Sequence, residues 1–182
     1  MENRLIKKAS YELLENSISI YLAINQKEDV FDIIRIIGSK EEGINSLDEY
    51  ICNSKSGNNF GYKVFISFNI SNEYYEKQFG EFINEEKIEN DTKSKLEKLK
   101  KEYVNDINSI KYISEFTYDH YGLSISDCLM EDDEIVTLIY DGYLATTDDL
   151  ILTIINYLKE NNIELKKENS LIADDLQLCR RF

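Results

Sequence analysis

The stretch from Phe60 to Ile70 limits what this chain can become. Phe60, Tyr62, Val64, Ile66, Phe68 and Ile70 alternate without a break against Gly61, Lys63, Phe65, Ser67 and Asn69. A period of two places every second side chain on one face of a strand. Only Phe65 interrupts the polar set, so the spacing predicts a strand inside a sheet with one face largely covered.

Two further strands are legible. From Ser17 to Ile24, Ile18, Ile20, Leu22 and Ile24 alternate with smaller or polar residues. From Glu134 to Tyr140, Ile135, Val136, Leu138 and Ile139 form a nearly continuous apolar run, as in a central strand buried on both faces. A fourth strand is expected either within 112–126 or at 163–166. Asp141-Gly142 carries the signature of a hairpin turn that sends the chain back through Tyr143 to Ala145.

Helices are expected between the strands. Leu5, Ile6, Ala9 and Leu13 recur at helical spacing over residues 3–15. Asn25 is a candidate cap for a helix through Val30, Phe31, Ile33, Ile34 and Ile37, ended by Gly38. Ser46 with Glu49 forms a capping-box pattern for a short helix from Leu47 to Asn53. Ser71 precedes a helix with Tyr75, Phe79, Phe82 and Ile83, and Asp91 one with Leu96, Leu99, Tyr103, Ile107 and Ile110. Thr146 with Asp149 caps a core helix, Leu150 to Leu158, which stops near Asn161-Asn162, and Ser170 opens a last one. The expected fold is therefore α+β, an antiparallel or mixed sheet of about four strands with helices packed on it. It forms a single domain over 1–182, with helix 91–110 as an arm between 1–90 and 111–182. That helix either lies on its own sheet or serves as a coiled-coil contact for a homodimer or an assembly adaptor.

A chain of 182 residues buries roughly 70% of its unfolded surface and needs no staples. Cys52, Cys128 and Cys179 are odd in number and widely spaced, which argues for reduced thiols and a cytoplasmic setting. The residues Met1 to Lys8 are too charged for a secretory signal, and no run reaches the ~18 apolar residues of a membrane span. There is no proline, and the richness in Lys, Asn, Ile and Glu fits an AT-rich bacterial or phage genome.

Charge is distributed unevenly. Residues 102–150 hold twelve carboxylates against one base, Lys111, a net of −11 out of −14 for the chain. Six of the thirteen tyrosines lie in the same stretch, with His120, the only histidine. Such a surface repels nucleic acid and anionic membrane and attracts basic proteins. Carboxylates can stand in for phosphates, and tyrosines offer flat apolar area as bases do. The residues expected to bind a partner are Asp119, Tyr121, Asp127, Glu131, Asp132, Asp133, Glu134, Asp141, Tyr143, Asp148 and Asp149. The plainer alternative is that the acids only solubilise and the tyrosines belong to the core.

Catalytic signatures are sparse. The acids after Asp127 lack the spacing of a calcium-binding loop. One histidine and no nucleophile elbow leave no triad to assemble. Gly38 to Gly43 does not match a phosphate-binding loop. One pattern survives: Glu164-Leu165-Lys166 on a candidate strand is the E-x-K arrangement of metal-dependent nucleases, with Asp141 or Asp149 as the completing ligand. Outside that pattern no cofactor or metal is expected, and the chain reads as non-catalytic.

The carboxylate-rich stretch from Asp119 to Asp149, in a small acidic proline-free chain, resembles the anti-CRISPR inhibitors of type II effectors at the level of class. It is similar in the same sense to immunity proteins that neutralise nuclease toxins. The first resemblance implies binding to a Cas9-type nuclease at its basic nucleic-acid channel or its PAM-reading arginines, and it carries over no individual residue.

Overall fold

The computed structural model describes residues 6–27, 30–54, 60–71, 123–127 and 135–167, with eleven isolated helical positions between Glu73 and Lys98. Its strands are β1 (Ile6–Leu13), β2 (Ser17–Lys27), β3 (Val30–Ser39), β4 (Phe60–Ser71), β5 (Leu123–Asp127), β6 (Ile135–Thr146) and β7 (Leu165–Lys167). Helix α1 (Leu47–Asn53) follows β3, and α2 (Leu150–Glu160) follows β6. The strands form one sheet in the order β5-β6-β4-β3-β2-β1-β7, in which only the β1–β7 pair is parallel. The fold is α+β with a mixed sheet. Strands from both sides of residues 91–110 share that sheet.

The sheet has seven strands because two segments expected to be helical are strands and both candidates for a fourth strand are realised. Within the segment 3–15, Ile6–Leu13 is β1, and the segment after Asn25 becomes β3. A register shift lies between Ile6 and Lys8. An extra residue in one strand of a pair reverses the facing of what precedes it, so Ile6 and Ala9 share the core three residues apart, a helix-like step within a strand. In β3 the confusion has a different origin. It lies fourth of the seven strands, and Ile33, Ile34, Arg35 and Ile36 are all buried. A strand covered on both faces loses its alternation and reads like a buried helix.

Asp141-Gly142 forms no turn. β6 runs unbroken through it, with Asp141 opposite Phe65 and Gly142 opposite Val64 in a ladder that pairs every residue from Phe60 to Ser71. Twelve residues of pairing outweigh a two-residue preference. Gly38 ends no helix either: it lies in β3, opposite Ile18 and Tyr62.

One face of the sheet carries the main core. Ile20 and Leu22 of β2, Ile34 and Ile36 of β3, and Val64 and Ile66 of β4 meet Leu150, Ile151, Ile154, Ile155 and Leu158 of α2. Those five recur along one stripe, leaving Asn156, Lys159 and Glu160 exposed. On the other face Tyr21, Ala23, Ile33, Arg35, Phe65 and Ser67 are also buried. Arg35 lies there with its guanidinium 5.1 Å from the centre of the Tyr21 ring and 5.9 Å from that of Phe65, and it donates to Ser19 Oγ at 3.5 Å. Phe65, the residue that breaks the polar alternation of β4, is therefore accounted for by a second buried face.

Capping signals held locally. Ser46 caps α1 by accepting from the Glu49 amide at 3.1 Å, and Glu49 reaches back to the Asn45 amide at 2.8 Å. At the far end of α2, Asn162 takes a left-handed φ of 53°. Its amide donates to the Lys159 carbonyl at 3.2 Å, and that of Ile163 to Leu158 at 2.9 Å, the paired closure that satisfies the last carbonyls of a helix. The cap of α2 itself is Asp149, while Thr146 Oγ1 accepts from the Asp148 amide instead.

Glu86, Lys87, Asn90, Asp91, Lys93, Ser94, Glu97 and Lys98 are helical and mostly exposed. The helix therefore already includes Asn90, and Asp91 does not cap it. The apolar positions 75–83 and 96–110, the dimerising role of 91–110 and the helix after Ser170 lie outside the described residues.

Candidate protein-binding edge

Two strands from the most acidic stretch of the chain lie at one margin of the sheet, and of its twelve carboxylates Asp127, Asp141, Asp148 and Asp149 are among the described residues. β5 is the outermost strand and β6 lies next to it, and β6 leads directly into the cap of α2. At the opposite margin is β7, which belongs to the part of the chain after residue 150 that has no net charge.

The expected partner-binding residues fall in different places. Asp127 ends β5, its backbone opposite Val136. Asp141 lies within β6. Tyr143 lies two residues further on, opposite Lys63, and is 40% exposed. Asp148 is exposed between β6 and α2. Asp119, Tyr121, Glu131, Asp132, Asp133 and Glu134 lie outside the described residues. The last four occupy the chain between β5 and β6, whose flanking positions Asp127 and Val136 are paired.

Asp149 is committed within the fold. Its Oδ1 accepts from the Leu152 amide at 3.0 Å and from the Tyr62 hydroxyl at 3.3 Å, while Oδ2 accepts from the Ser54 hydroxyl. The Tyr62 oxygen in turn accepts from the Leu150 amide at 3.0 Å, and the buried Tyr50 phenol lies within reach of the same carboxylate's charge. This carboxylate gathers the end of α1, the start of β4 and the start of α2. In the sequence Asp149 stands among the docking acids, because its acidic neighbours are close along the chain while its hydroxyl partners lie 87 and 95 residues away.

Burial first, and the Asp149 charge second, push both the Tyr50 and the Tyr62 phenols well above the usual tyrosine range. A phenol whose folded pKa lies above its unfolded value near 10 contributes stability that is fully present below pH ~10 and is lost as pH rises beyond it. In a urea titration from pH 9 to 11, the wild type should lose stability more steeply than Tyr50→Phe; equal slopes would remove the phenol from the account.

The candidate nuclease constellation is not assembled. Lys166 lies on β7, with Glu164 just before it. Their charged atoms are 3.7 Å apart and both side chains are exposed. Asp141 is five strand spacings away, ~24 Å across the sheet. Asp149 precedes α2, whose 11 residues put ~16 Å of helix between it and Asn161. Neither aspartate shares a metal with Glu164. Among the described residues no group of three or more His, Cys, Asp or Glu side chains could hold a metal ion, and none of their helices is long and apolar enough to cross a membrane. A short edge strand flanked by charges resists pairing with another chain, a sufficient role for Glu164 and Lys166. No protein-family model, curated protein or solved structure matches the chain.

Proposed function

We propose that this protein is a non-catalytic inhibitor that docks the β5–β6 edge, with the acidic sequence that joins and follows these strands, onto a basic nucleic-acid-processing enzyme in the cytoplasm. The supporting observation is topological: the segment with eleven of the fourteen net negative charges supplies adjacent strands at one margin of the sheet. Charge concentrated in one stretch of chain steers encounter with a cationic groove and competes there with phosphate. Asp127, Asp141, Asp148 and the run Glu131, Asp132, Asp133, Glu134 carry the attraction. Asp149 is left out because its oxygens are already bonded. A Cas9-type nuclease is the favoured target, and a nuclease toxin is the alternative within the same mechanism.

The test is capture of a guide-loaded Cas9 at low and high salt, together with its cleavage assay. Replacing Glu131 and Glu134 by Gln and Asp132 and Asp133 by Asn should slow association about tenfold or more at low salt, with the unfolding midpoint unchanged. Salt-insensitive binding would remove the electrostatic mechanism. Absence of binding to Cas9 with salt-sensitive capture of a toxin nuclease would move the target.

A further inference from the structure

We infer that Tyr143 anchors this docking edge by receiving an arginine of the basic partner, with the guanidinium stacked on its ring. The inference rests on the docking role proposed above. Tyr143 and Leu14 are the large hydrophobic side chains left exposed among the described residues, at 40% and 39%. Leu144 turns into the core, so Tyr143 projects from the opposite face of the sheet. β5 pairs with β6 only from Val136 to Tyr140, so Tyr143 lies where, among the described residues, no strand flanks β6 on its outer side.

The ring lies across its neighbour strand. A Cβ on Gly61 would collide with the Tyr143 hydroxyl and lie 2.7 Å from Cζ, so the glycine opens the space that lets the phenol lie across β4. A flat aromatic with few rotamers to lose is well suited to anchor an interface, and in a stretch this acidic the complementary ligand is a cation. A planar guanidinium stacks on such a ring where a compact ammonium does not, and the same sheet already stacks Arg35 on Tyr21. Exposed Lys63, directly opposite, works against any cation. Lys63→Gln should therefore strengthen binding of both probes below.

The probes are arginine and lysine homopeptides of equal length, titrated by fluorescence anisotropy into the full chain at two salt concentrations. The arginine peptide should bind about two- to fivefold tighter. Tyr143→Leu should abolish that preference while keeping the lysine-peptide affinity, and Tyr143→Phe should retain it. If Tyr143→Leu keeps the preference, the anchor is wrong, although salt-sensitive binding of both peptides leaves the docking edge standing. If neither peptide binds the wild type in a salt-sensitive way, the docking edge fails and the anchor with it.

Discussion

Asp149→Ala is expected to destabilise the protein by about 3 kcal/mol, read as a fall of about 1–1.5 M in the urea midpoint. Loss of a helix cap alone costs about 1 kcal/mol. Here the same carboxylate also accepts from the Ser54 and Tyr62 hydroxyls. Removing it leaves two hydroxyls in a largely buried corner without their acceptor, and each stranded donor costs about 1 kcal/mol or more, not fully additively. Asp149→Asn keeps an oxygen for the Leu152 amide and should cost about half as much. It should also let Tyr50 and Tyr62 ionise at lower pH in an absorbance titration, because the charge that opposes their ionisation is gone while burial remains. Equal losses for the Asn and Ala variants, or a loss below 1 kcal/mol for Ala, would show that the corner is held by packing alone.

What the sequence revealed depended on the range of the interaction. The capping box at Ser46 and Glu49 is complete within four residues, so it was legible. The clean alternation of β2 and β4 was legible as well, because each has a continuous core face: Ile18 to Ile24 in one, Tyr62 to Phe68 in the other. β1 was hidden by its bulge and β3 by burial on both faces, since each defeats the period of two on which strand recognition depends. The turn signal at Asp141-Gly142 was real locally and was overruled by the ladder to β4, an interaction some 76 residues apart at Phe65 and Asp141. The site divides in the same way. The concentration of charge in residues 102–150 was plain, whereas the internal role of Asp149 depended on Ser54 and Tyr62, which only the fold brings near.

Gly38→Ala is expected to cost about 2–3 kcal/mol, the range for forcing an extra methyl into a packed core. Gly38 is not needed for a left-handed turn; it lies near the end of β3, between β2 and β4 and opposite Ile18 and Tyr62. A Cβ there would lie 2.8 Å from Cε1 and 3.0 Å from Cδ1 of Tyr62, with Ile151 Cγ1 at 3.5 Å. At Gly61 the obstructing group is the tip of an exposed tyrosine, which can swing away. At Gly38 it is the body of a ring only 2% exposed, whose hydroxyl is tied to the Leu150 amide and the Asp149 carboxylate. Moving that ring breaks the cap of α2, so the two changes are coupled. Gly38→Ala should therefore cost much less when Tyr62 is already Leu, with a coupling of about 1 kcal/mol or more in a double-mutant cycle. Gly61→Ala should cost under about 1 kcal/mol and act mainly on Tyr143. Strict additivity of the Gly38 and Tyr62 substitutions would place the strain in the β3 backbone and not against the ring.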